Sequence, residues 1–169
     1  ALPDEQFNMY GSRVEKTGFY GFLEGETDQF HPELVIDNHK TEPPATAEEG
    51  YHLSEDMIDQ LLLMLSDSKG VRPDRPFFAY VPFGATHAPH QAPQAYLDKY
   101  KGRYDEGWEV MRKARYERQL KMGLIDKKWK LSPRDGTAWK DAPNKEWEIR
   151  LMETYAAMVD RLDQGLGNV

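Results

Sequence analysis

The sequence predicts an α/β fold in which a buried strand is flanked by helices. Three observations carry that prediction. Residues 55–65 space their apolar side chains as a helix does, residues 77–83 form an unbroken apolar run, and the chain returns to helical periodicity beyond residue 94. Helix, covered strand and helix in succession are the rhythm of a sheet with helices packed on its faces.

The elements follow in order. Gly18-Phe19-Tyr20-Gly21-Phe22-Leu23 and Gly25-Glu26-Thr27-Asp28 interleave glycines with rings, which suggests irregular backbone anchored by buried aromatics. Leu34-Val35-Ile36 fits a short strand. Thr41-Glu42-Pro43-Pro44 fits an extended connector, because each proline pushes its predecessor toward the β region. Ser54 is the expected N-cap of the first helix, with Glu55 and Asp56 opposing the positive end of its dipole. Met57, Ile58, Leu61, Leu62 and Leu65 make its apolar face, and Gly70 its expected left-handed cap.

Phe77-Phe78-Ala79-Tyr80-Val81-Pro82-Phe83, closed by Gly84, reads as a strand covered on both faces, with Pro82 near the end where a missing N–H is tolerated. Helices are expected over 94–100, over 108–122 closed by Gly123, and over 145–166, with 127–143 as loop. In the last helix Trp147, Leu151, Met152, Tyr155, Val159 and Leu162 are the expected core stripe.

Composition narrows the function classes. The 169 residues carry 22 Lys plus Arg against 29 Asp plus Glu, a net charge of −7 that argues against a nucleic-acid partner. The absence of cysteine excludes disulfides, thiolate catalysis and Cys-ligated zinc. No apolar run approaches the roughly 20 residues of a spanning helix, so no membrane partner is expected. The chain opens on Ala1-Leu2-Pro3 and stops at Gly167-Asn168-Val169, just after a helical stretch. It is therefore expected to be cut from a longer one, or to start at a signal-cleavage point.

Ligands of open α/β sheets gather beyond the carboxyl ends of the strands, which puts Gly84-Ala85-Thr86-His87-Ala88-Pro89-His90 where chemistry is expected. His87 is the leading candidate for binding an anion or transferring a proton; the plainer reading is a loop histidine satisfied by nearby carbonyls. His87 and His90 could together ligate a metal, but only if His31, His39, His52 or a carboxylate converged on them. His90 otherwise reads as a rim residue. Glu24, Glu26 and Asp28 form an acidic cluster without EF-hand spacing, better explained by a solvated loop or capped turns. The basic stretch from Arg112 to Lys121 reads as a solvated face, with attraction of phosphate or sulfate as the alternative. There is no phosphate-binding glycine loop and no Gly-x-Ser-x-Gly elbow, and Ser12, Ser54, Ser66, Ser68 and Ser132 fit caps and turns.

Several segments, in order and across nearly the whole chain, resemble bacterial arylsulfatases. They are residues 18–30, Asp37-Asn38-His39 with Glu42-Pro43-Pro44, residues 50–56, 76–80 and 84–90, Tyr100-Lys101-Gly102-Arg103-Tyr104-Asp105-Glu106-Gly107-Trp108, and residues 152–163. The resemblance implies the formylglycine-dependent sulfatase family and its alkaline-phosphatase-like α/β sandwich. Residues 1–169 would be the middle segment of a single catalytic domain, so the fold here would be incomplete.

That family cleaves sulfate esters with a formylglycine made from a Cys/Ser-x-Pro-x-Arg motif and a divalent cation, usually calcium. This sequence has no cysteine, no Ser-x-Pro-x-Arg, no Asp-Asp pair and no Lys-x-His, and its Asp37-Asn38 lies in the wrong segment to be the family's second metal pair. One family site residue maps: the histidine of the Ala-x-His-x-Pro loop falls on His87, implying contact with the sulfate ester and protonation of the leaving oxygen. His90 would face the substrate mouth. The implied partners are a small sulfate ester and the remainder of a sulfatase chain. No metal ligand is assigned, no cation is expected on these residues alone, and they are expected to be inactive by themselves. A phosphate or phosphonate monoester hydrolase of the same fold, or a non-catalytic binding or structural domain, are the alternatives.

Overall fold

The computed structural model describes residues 19–22, 27–37 and 39–169. Ser12, Glu24, Glu26 and Asn38, singled out above, lie outside them. Three short strands, β1 (Tyr20–Gly21), β2 (Leu34–Ile36) and β3 (His39–Thr41), form an antiparallel sheet in that order. Tyr20 stands opposite Ile36, and Val35 opposite Lys40. Asp37 turns the chain out of β2 with φ 51°, a region that aspartate tolerates better than most residues. Its N–H donates to the Phe19 carbonyl at 2.8 Å and its carboxylate accepts the Phe19 N–H at 3.0 Å, which ties the turn to β1.

Among the described residues four helices follow: α1 (Leu53–Val71), α2 (Gln94–Tyr100), α3 (Trp108–Lys121) and α4 (Lys145–Leu166), with a short 3-10 turn at Trp139–Asp141 before α4. One core joins the sheet to the start of α1 through Phe22, Leu34, Tyr51, Leu53 and Met57. A second joins α2 to α4 through Ala92, Leu97, Ala157 and Met158. The α/β class therefore holds, with α1 packed on a small sheet and α4 packed against α1 and α2.

Five expectations need correction. The run 77–83 is not a covered strand. Among the described residues no ladder pairs with it, and Phe77, Phe78 and Tyr80 stay half or more exposed while Val81 and Phe83 touch the first core. A central strand needs backbone partners along both edges and cover on both faces; α1 and β1 cover one side only.

The N-cap of α1 is His52, whose Nδ1 accepts the Ser54 N–H at 3.3 Å, and Gly70 lies inside the helix. Burial on α1 is concentrated in its first two turns, Leu53 to Ile58.

Half of the stripe assigned to the core of α4 is outward, and Leu151, Met152 and Leu162 are only half-buried. Trp147, Tyr155 and Val159 are exposed, whereas Glu153, Thr154, Ala157, Met158 and Gly165 are buried. Close helix approach selects small side chains. A Cβ on Gly165 would lie 2.9 Å from Ile58 Cγ1, so α1 and α4 meet where bulk is missing. The buried Glu153 carboxylate accepts the Gly102 N–H at 2.7 Å and takes Arg150 at 3.5 Å, fastening the turn after α2 to α4.

Within the stretch read as loop, the 3-10 turn is held by α3. Trp139 stacks edge-on against Trp108 with centroids 4.8 Å apart, and its N–H donates to the Glu109 carboxylate at 3.0 Å.

Candidate functional site

Residues 84–91 leave the first core and turn back on themselves. The His87 N–H donates to the Gly84 carbonyl at 2.8 Å, and His87 Nδ1 lies 2.9 Å from the Ala88 carbonyl. A carbonyl can only accept, so Nδ1 carries the hydrogen in this contact. The ring itself is exposed. Three positions on, the exposed His90 packs edge-on against Tyr155 of α4, with centroids 6.0 Å apart.

The loop is anchored at both ends to residues 28–31. Gly84 sits directly over Gln29 and Phe22; a Cβ there would fall 3.1 Å from Gln29 Nε2 and 3.2 Å from Phe22 Cζ. At the far end, the Gln91 amide donates to the Asp28 carboxylate at 2.6 Å and accepts the Gln29 N–H at 2.7 Å. Asp28 also accepts the N–H groups of Phe30 at 2.8 Å and His31 at 2.7 Å. Burial pushes the Asp28 carboxyl up, but the bonds from Gln91 and those two amides outweigh it and hold the group below its ordinary value.

Gln29 is buried and links this clamp to α1. Its carbonyl accepts the Leu53 N–H at 2.8 Å and its side chain accepts the Ser54 hydroxyl at 3.4 Å. His52 completes the junction, 2% exposed, with the Phe30 ring edge-on at 5.2 Å. Burial pushes its imidazole down to about 4, and the Arg161 guanidinium adds to the effect. The Gln91 backbone, near the ring but outside hydrogen-bond geometry, opposes that shift; Nε2 has no hydrogen-bond partner among the described residues. A neutral ring whose Nδ1 accepts a backbone N–H is what a buried helix cap requires.

On the other side of α1, Tyr20 and Tyr51 both donate to the buried Asp56 carboxylate, Tyr51 at 2.9 Å. Burial and that carboxylate push both phenols well above their ordinary value, so they stay protonated donors near neutral pH.

The histidines are therefore sorted by environment. His87 and His90 share one exposed loop, His52 is a buried cap, His31 lies 3.4 Å from Asp28, and His39 is exposed in β3. Among the described residues no group of three or more histidine or carboxylate side chains converges as a metal site would require. Gln29 and Gln91, which set the loop's position, were not identified from sequence: a buried amide leaves no periodic signature. His52 did have a signal, two residues before a serine that opens a helix.

The family model described as Sulfatase matches residues 3–169. An uncharacterised sulfatase of Schizosaccharomyces pombe is 38% identical over 157 residues, covering 88% of this chain and 27% of its own length. An arylsulfatase of Klebsiella aerogenes is 26% identical over 157 residues, covering 86% of this chain and 30% of its own length. The chain thus spans less than a third of the length of these curated relatives.

Proposed function

We propose, from the premise that this chain belongs to the sulfatase family, that the protein carrying it hydrolyses sulfate esters and that residues 84–90 supply its substrate-contacting histidine loop. The observation that carries this reading is the state of His87. Its ring is solvated, its Nδ1 is committed to the Ala88 carbonyl, and its loop is clamped at Gly84 and Gln91. Such a ring is held in one orientation at the protein surface. As imidazolium it stabilises charge on a departing ester oxygen and can protonate it.

These residues supply one part of a hydrolytic site. The sequence holds no Cys/Ser-x-Pro-x-Arg from which a formylglycine is made. The described residues do not fit a divalent cation such as calcium, for want of converging carboxylates. No step is therefore assigned here to either group. On this reading residues 1–169 are the middle segment of one catalytic domain, and nucleophile and cation come from the remainder of the sulfatase chain. His90 belongs to the rim of the same site.

Two measurements test the assignment. A protein of the relatives' length that carries this chain should turn over p-nitrophenyl sulfate, and His87→Ala should lower that rate by about 10²-fold or more, the range for a general acid. The 169-residue chain alone should show no turnover. An unchanged rate in the His87→Ala protein would reject the role of the loop. Turnover by the isolated chain, lost on the same substitution, would reject the division of labour.

A further inference from the structure

A second concavity, of about 450 Å³, lies between α3, α4 and residues 132–135. That volume falls in the range of small-molecule sites. Its aromatic walls are Tyr104, Trp108 and Tyr155, and its charged lining is Arg112, Arg115 and Arg134 against the carboxylates of Glu109 and Asp135, an excess of one cation. Two of these guanidinium groups are already engaged. Arg112 donates to the Ser132 carbonyl at 2.9 Å and to its hydroxyl at 2.5 Å, which holds the outer wall in place. Arg134 lies 3.4 Å from the Glu109 carboxylate, itself bonded to the Trp139 N–H. Arg115 is exposed and pairs with no carboxylate among the described residues. Tyr155 is shared: one wall of this cavity, it is also the ring against which His90 packs.

We propose that this cavity binds the organic part of the ester, an aromatic ring bearing a second anionic group such as a carboxylate, with Arg115 as the residue that reads the anion. Ring walls give an aromatic group apolar cover, and a planar guanidinium matches a carboxylate two bonds at a time. The cavity adjoins the histidine loop through Tyr155, so ring and ester would occupy neighbouring sites. The assignment of the bound ring to a sulfate ester rests on the sulfatase reading; the anion pocket does not.

The test separates the two. The 169-residue chain is titrated with 4-hydroxybenzoate and with phenol, following its tryptophan indole N–H resonances. 4-Hydroxybenzoate should shift the Trp108 resonance and bind about fivefold more tightly than phenol, as one partly exposed ion pair allows. Arg115→Gln should remove that preference without weakening phenol, and Arg115→Lys should restore only part of it. Equal affinity for the two probes, no effect of Arg115→Gln, or shifts that spare Trp108 would each overturn the pocket. In the protein of full relative length, Arg115→Gln should lower kcat/KM about fivefold more for 4-carboxyphenyl sulfate than for phenyl sulfate. A protein that binds 4-hydroxybenzoate in this way yet cleaves neither ester would overturn the sulfatase reading and keep the anion pocket.

Discussion

Residues 77–83 and 84–91 adjoin in sequence and meet opposite fates. The second segment is held at both ends by partners within this chain: Gln29 beneath Gly84, Asp28 and the Gln29 amide against Gln91. The first has α1 and β1 on one side and leaves Phe77, Phe78 and Tyr80 half or more in solvent. The difference lies in what each kind of segment needs. A turn is satisfied by a handful of polar groups, and this chain contains them. A covered strand needs continuous backbone partners along both edges. No described segment supplies them.

The sharpest way to break that comparison is to delete apolar bulk on each side of it. Leu53 is fully buried at the head of α1, and Leu53→Ala should cost about 2–5 kcal/mol in urea unfolding. Phe78→Ala should change stability by less than about 0.5 kcal/mol, because its ring is 65% exposed already. Comparable losses at the two sites would mean that residues 77–83 are covered in solution.

Acid probes the clamp's junction. His52 sits at about 4 in the folded chain against an ordinary 6.5, so between those values the unfolded state binds the extra proton. Stability should therefore fall as the pH drops from about 6.5 toward 4, by an amount on the order of 3 kcal/mol. His52→Asn keeps a side-chain acceptor at the cap and should flatten that part of the profile in parallel unfolding titrations. A profile as steep as wild type would remove His52 from the junction.

A smaller effect is expected from the clamp's outer tie. Gln91→Ala strands the Gln29 N–H and one Asp28 oxygen, and should cost about 1–2 kcal/mol. Amide exchange at Gln29 should quicken in the same variant; unchanged protection would show the loop to be held elsewhere. The smallest effect is on stability at the bare run: Phe78→Ser should leave the urea midpoint in place while reducing self-association seen by light scattering, since a patch of exposed rings invites contact.

Much of this was legible in the sequence. Pro93 ahead of α2 and Gly123 after α3 are strong local punctuation, and those helices begin and end beside them. His87 was legible as a loop residue because glycine and proline frame it. The inward face of α4 was not. Size suggested Trp147, Tyr155 and Val159, whereas close packing chose Ala157, Met158 and Gly165. Nor was the clamp, because Gln29 and Gln91 are brought together only by tertiary structure. The apolar run was legible as strand-forming material but not as a strand, since pairing is a property of neighbours and not of the segment.

The tie between Gln29 and Gln91 spans 62 positions of chain. Ordering the histidine loop therefore waits on closing a circuit that long, and the entropy of that closure is lost before the two short hydrogen bonds return anything. Helices α2 and α4 can begin from local contacts, but the loop's shape cannot. The segment carrying the exposed imidazole thus takes its form from residues far away along the chain, and a change at residues 28–31 reaches it directly.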